Sequence, residues 1–185
     1  MAGKIILAVI ICCEIYGLTS LKGIRLIKSF IFYTQLSNLA ALISASLLLV
    51  FGGQEWIIAF RYLSVCMLIM TMLVTITILL PMIKNVELLL TSRSGFFLHL
   101  VGPILNTVSY FAFEPHASQA MTFIPPAVTL IYGIIMIYLN YIHKVDGPYP
   151  FLRVHHQSKT ATVLWIIVLL IVISAISWSI YLPAA

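Results

Sequence analysis

Six apolar stretches, each close to the length that crosses a bilayer, leave this chain few folds to choose from. They run over residues 4–21, 30–51, 56–80, 96–113, 123–142 and 161–182, with short polar connectors between them. A helix needs about 20 residues to cross the hydrocarbon core. Of the 185 residues, 62% are hydrophobic and 8% charged, against about 25% charged in a soluble domain. The chain therefore reads as an integral membrane protein. Strict alternation and regularly spaced glycine-rich turns are missing, which argues against a β-barrel. Hydrocarbon offers no hydrogen bonds to an open backbone, and that leaves helices. No connector is long enough to fold alone. The expected architecture is all-α, a single domain over 1–185 built as a bundle of six transmembrane helices.

The net charge of +5 matters less than its distribution. Lys22, Arg25 and Lys28 follow the first stretch, Lys84 and Arg93 the third, and Lys144, Arg153 and Lys159 the fifth. Lys4 and Arg61 are the remaining basic residues. The positive-inside rule puts the connectors after stretches one, three and five in the cytoplasm, and both termini on the opposite side. Such a charge pattern carries no nucleic-acid signal. Residues 1–13 imitate a signal peptide but lack a small-residue cleavage site, so they are read as the start of a mature helix. Cys12, Cys13 and Cys66 fall inside stretches, with no pairing or metal spacing. Trp56, Tyr149, Trp178 and Tyr181 fit an interfacial aromatic belt.

An ionisable group at membrane depth is costly and by default marks function. Glu14 and His99 are the two that stand out; Arg61, near an outer end, is read as snorkelling. His99 lies six residues past Arg93 and Thr34 six past Lys28, each about 9 Å in from the cytoplasmic charge. Glu14 precedes Lys22 by eight residues, about 12 Å from the same boundary. Ser37 and Asn38 share a helix face with Thr34. Asn106 is read on the face of His99, with Pro103 as a kink between them. These polar faces must look into the bundle or a wet cavity, which is expected in the cytoplasmic leaflet.

A Thr hydroxyl beside a neutral imidazole is a nucleophile with its base. Thr34 takes the first role and His99 the second, with Ser37 or Asn38 donating to an oxyanion and Glu14 orienting the ring. Plainer readings compete. Thr and Ser in membrane helices commonly bond back to their own turn or hold helices together, as Thr71, Thr75 and Thr77 are read here. A lone His or Glu can be a satisfied structural group. His143, His155 and His156 are read as solvated or headgroup-facing, and no metal site is expected. The turn Gly147–Pro148–Tyr149–Pro150–Phe151–Leu152 forbids a regular helix; it either roofs a pocket or, the preferred reading, anchors at the interface.

Three motifs shift this balance: Phe32–Tyr33–Thr34–Gln35–Leu36–Ser37–Asn38–Leu39, Phe97–Leu98–His99–Leu100–Val101–Gly102–Pro103, and Tyr149–Pro150–Phe151–Leu152. In that order they resemble the six-helix membrane protein family whose animal members include the androgen-induced and androgen-dependent proteins, and most closely its small prokaryotic members. The resemblance implies an intramembrane threonine hydrolase of fatty acid esters, with Thr34 as nucleophile and His99 as base. Glu14 has no counterpart in the family pattern. The expected substrate is a membrane lipid ester, with no cofactor. The compact length favours a bacterial cytoplasmic membrane. A small-molecule or proton-coupled transporter using Glu14 and His99, or a non-catalytic scaffold, remains the alternative. A haem carrier is weaker, because axial ligation wants a facing pair and His99 stands alone among the spans.

Overall fold

The computed structural model describes residues 1–20 and 28–182. Among them there is no strand, and the chain is a helical bundle. We number its long helices α1 (Ala2–Leu18), α2 (Tyr33–Phe51), α3 (Glu55–Ile83), α4 (Arg93–Phe113), α5 (Gln119–Tyr141) and α6 (Lys159–Tyr181). Five of them, α2 to α6, are long and apolar enough to cross a membrane. The 17 residues of α1 pack along α2 and α4. Lys22 and Arg25, which carry part of the charge argument, lie outside the described residues.

The helix ends follow from local chemistry. Ser92 and Ser158 accept from the backbone N–H of Gly95 and Ala161, capping α4 and α6. Pro125 and Pro126 sit in the first turn of the α-helical part of α5, where a missing N–H costs nothing. Gly52 ends α2 at φ 74°, a conformation open to glycine.

Two prolines shape the long helices from inside. Pro103 cannot donate to the carbonyl four residues back, and the turn before it widens to π geometry over Phe97–Val101, with Gly102 N–H donating to Phe97 O. Pro81 is preceded in the same way by a π turn over Thr75–Leu79, where Leu80 N–H donates to Thr75 O. A π turn admits an extra residue and so rotates all that follows. This is why Asn106 does not share a neighbourhood with His99, as a regular helix predicts. The side chain of Asn106 meets α1 and α3, while the His99 ring turns to the segment before α4.

Arg61 is also corrected. It does not snorkel; it is 1% exposed and makes a two-point ion pair with Glu114, Nε to Oε2 at 2.8 Å and Nη2 to Oε1 at 2.7 Å. Ser109 Oγ donates to the same carboxylate at 2.6 Å, and Arg61 Nη1 donates to Asn106 Oδ1 at 2.8 Å. The pair ties the start of α3 to the end of α4. Removing one member of a buried pair strands the other charge, at a cost of about 3–5 kcal/mol. Arg61→Ala should therefore destabilise the detergent-solubilised protein by that order. Arg61→Met combined with Glu114→Gln should recover most of the loss, as read by thermal and denaturant unfolding.

Candidate functional site

Thr34 is the second residue of α2, which begins where Phe32 leaves extended backbone at φ −83° and ψ 136°. The first N–H groups of a helix have no partner within it. Here the Thr34 N–H donates to the phenol oxygen of Tyr149 at 3.2 Å, and the Thr34 hydroxyl lies 3.4 Å from the same phenol. Tyr149 comes from the turn between α5 and α6, so the belt reading of this residue is overturned: it is buried. The turn roofs a pocket because it is pinned from both sides. Asn140 donates to Val145 O at 2.9 Å and accepts from Val154 N–H at 2.8 Å. Gln157 donates to Phe151 O at 2.9 Å. The rings of Tyr149 and Phe151 stack at 5.2 Å, and Phe151 leans on Trp165 of α6.

Beneath this roof is an apolar cavity of about 70 Å³ between α2, α3, α5 and α6. Its polar lining is Thr34, Thr71, Thr75, Thr129 and the tyrosines Tyr33, Tyr132 and Tyr149. Leu130 and Ile134 on its rim are exposed on the outer face of α5. Tyr33 and Thr129 join through their hydroxyls at 2.7 Å, and Tyr132 donates to Ile31 O at 2.8 Å.

None of the other expected site residues lines this cavity. Ser37 and Asn38 do share the Thr34 side of α2, yet their donors are already directed at protein. Ser37 Oγ donates to Thr34 O at 3.0 Å and meets Thr71 Oγ1 at 3.0 Å, helix-joining work of the kind expected of Thr71. Asn38 Nδ2 donates to Thr34 O at 2.7 Å and to Leu98 O at 3.2 Å. One amide thus ties the Thr34 turn to the residue before His99. His99 is half-buried in the π turn of α4 and does not line the cavity. Its Nδ1 is 2.7 Å from Leu89 O. A carbonyl only accepts, so Nδ1 carries the hydrogen, which in a neutral ring leaves the lone pair on Nε2. No hydrogen bond joins His99 to Thr34 among the described residues.

Glu14 is buried on α1 and accepts from Asn106 Nδ2 at 3.1 Å. It does not orient the His99 ring, whose Nδ1–H donates to Leu89 O instead. No hydrogen bond joins Glu14 to His99 among the described residues. His143 stacks on His155 at 4.1 Å, in the exposed turn after α5. No group of three metal-ligating side chains occurs among the described residues.

The chain matches no family model, no curated protein and no solved structure.

Sequence reasoning missed Tyr149. The signal was present in the Tyr-Pro-Phe turn, but a tyrosine beside a span end reads equally as belt or roof. Burial pushes its phenol above the ordinary tyrosine range, and hydrogen bonds with Thr34 only partly offset this. The folded protein then holds this proton more tightly than the unfolded chain, so stability should fall as pH rises past the ordinary phenol range of about 10. The native protein and Tyr149→Phe should show the same tyrosinate absorbance near that pH, and after denaturation the native chain should show one more phenolate than the denatured variant. The substitution should itself cost about 1–3 kcal/mol by stranding the Thr34 N–H.

Proposed function

We propose that the chain is a six-span intramembrane hydrolase of fatty acid esters, with Thr34 as nucleophile and His99 as base. Both termini lie on the non-cytoplasmic side and the cavity opens in the cytoplasmic leaflet. Several features support the topology. The α1 helix, at 1.5 Å per residue, is about 25 Å long, close to the hydrocarbon thickness of about 30 Å. Arg61 and Glu114 mark one end of the bundle; Thr34, Arg93 and the Tyr149 turn mark the other, where the basic connectors lie. At that end Arg93 stands 3.5 Å over the ring of Tyr16 on α1.

The observation that carries the reading is the buried Thr34 hydroxyl lining an apolar cavity, in the first turn of a helix, with a buried phenol beside it. The N-terminal end of a helix favours developing negative charge. Tyr149 O–H is a donor within reach of an oxyanion formed at Thr34, whereas the donors of Ser37 and Asn38 are engaged elsewhere. The apolar lining suits an acyl chain, and the exposed rim on α5 offers lateral entry from the bilayer.

In the reaction, Thr34 Oγ attacks the ester carbonyl carbon as His99 Nε2 takes the hydroxyl proton. The tetrahedral intermediate collapses, the alcohol leaves with that proton, and the acyl group stays on Thr34 as an ester. Water then attacks the acyl carbon, giving a proton to His99, which passes it to the departing Thr34 Oγ as the fatty acid is released. Catalytic hydrogen bonds often close only around substrate, which is the movement required of the His99 turn.

A fluorophosphonate probe with a long alkyl chain, applied to the purified protein, tests this directly. Mass spectrometry should place the adduct on Thr34 and find none in Thr34→Ala. His99→Ala should slow labelling by about 10²-fold or more. An unlabelled, well-folded native protein would count against the hydrolase and favour transport or scaffolding.

A further inference from the structure

The polar cluster between α1, α2 and α4 contains a mismatch in donors and acceptors. Glu14 Oε2 and Asn38 Oδ1 are buried oxygens without a hydrogen-bond partner, on residues 1% and 0% exposed. A buried acceptor left unmade costs about 1–3 kcal/mol, so two in one place call for an explanation.

Turning the amides over does not help. Asn38 Nδ2 faces two carbonyls, Thr34 O and Leu98 O, and an oxygen placed there would meet only acceptors. Asn38 Oδ1 must therefore point away from them, toward α4 and α1. Asn106 is fixed by the same logic. Its Nδ2 faces Gly102 O at 2.9 Å and Glu14 Oε1 at 3.1 Å, and its Oδ1 accepts from Arg61. Glu14 Oε1 is thus the accepting oxygen of the carboxyl group, and Oε2 is the one left over.

The Glu14 carboxyl group and the unpaired Asn38 oxygen meet over Gly102. A β-carbon built there would lie 2.8 Å from Glu14 Oε1, 3.1 Å from Asn38 Oδ1 and 3.0 Å from Phe97 O. The missing side chain lets the carboxyl and the amide close over the backbone. Charge points the same way. Arg61 is matched by Glu114 at two contacts, so an ionised Glu14 would leave the cluster one negative charge in excess among apolar helices.

We propose that Glu14 is a buried proton-binding site, its carboxyl O–H donating to Asn38 Oδ1. A single proton satisfies both unpaired acceptors and brings the cluster to neutrality. A bound cation fits less well, because hard cations take about six or more oxygens and a guanidinium already stands behind Asn106. The groups facing the acid are Asn38 from α2, Arg61 from α3, and Asn106 with Gly102 from α4; its titratable neighbour on α1 is Cys13. The assignment makes no use of the hydrolase reading.

Infrared spectroscopy of the whole protein in phosphatidylcholine vesicles at neutral pH, in H₂O and D₂O, tests it. The other acidic residues are Glu55, Glu87 and Asp146, all exposed, and Glu114, which is paired with Arg61. The native protein should show one carboxylic-acid C=O band that shifts in D₂O and disappears in Glu14→Gln. That variant should fold like the native protein, since its side-chain NH₂ donates to Asn38 as the acid does. Should it fail to fold, Asn38→Ala must still move the band by removing the acceptor. An absent acid band, as a water-bridged or cation-bound carboxylate would give, overturns the proposal. So does a band that persists in Glu14→Gln or ignores Asn38→Ala.

Discussion

The ion pair between Arg61 and Glu114 is the fixed point of this bundle. In hydrocarbon, one apolar helix face is nearly as good a partner as another, because the surrounding lipid is equally apolar. Directional contacts between polar groups must then set which helix meets which and at what level. The guanidinium holds the end of α4 at two oxygens and reaches Asn106 about two turns back along the same helix. From Asn106 the contacts run to Glu14 and so take in α1. Ser44 brings in α2 through Ser64, which bonds back to the carbonyl of Arg61. Four helices are registered by one buried charge pair and the amides around it.

A second polar layer lies toward the other end and depends on the prolines. Without Pro103 the turn holding His99 would be an ordinary α-turn, and Asn106 would follow His99 around the helix. The π turn breaks that relation. It lets Leu98 offer its carbonyl to Asn38 while the imidazole is held by Leu89 O, and it sends Asn106 to the ion-pair layer. Pro81 works the same way in α3, where its widened turn places Thr75 against the cavity. Each long helix therefore serves two neighbourhoods that a regular helix would have merged.

Much of this was legible in the residues. Five long apolar helices emerge near the expected boundaries, and Thr34, Ser37, Asn38, Thr71, Thr75 and Asn106 inside them are buried, whereas Thr77, expected to join helices, is exposed and bonds back to Leu73 O. Two of the readings that failed share one cause, which is that they depend on partners remote in sequence. Arg61 reads as a snorkelling residue until Glu114, on another helix, is seen to reach it. Tyr149 reads as an interfacial aromatic until Asn140 and Gln157 are seen to fold its turn under the bundle. Asn106 was misplaced for a local reason, since helix periodicity assumes a regular turn and Pro103 removes it. The kink was foreseen at that proline; the rotation it imposes was not.

Asn38 joins the two layers, and its chemistry explains why an amide stands there. Its nitrogen must donate to two carbonyls, one in the first turn of α2 and one in the π turn of α4. Its oxygen must face the carboxyl of Glu14. A carboxylate at position 38 would confront those carbonyls without a donor, and an aliphatic side chain would leave all three groups unmatched. The amide suits both sides only if the carboxyl supplies a hydrogen. The state of Glu14, buried on the first helix, is thereby coupled to the backbone that presents Thr34 and to the turn that carries His99. A change in that one proton would be felt at the cavity through two hydrogen bonds of a single side chain, with no helix having to shift as a body.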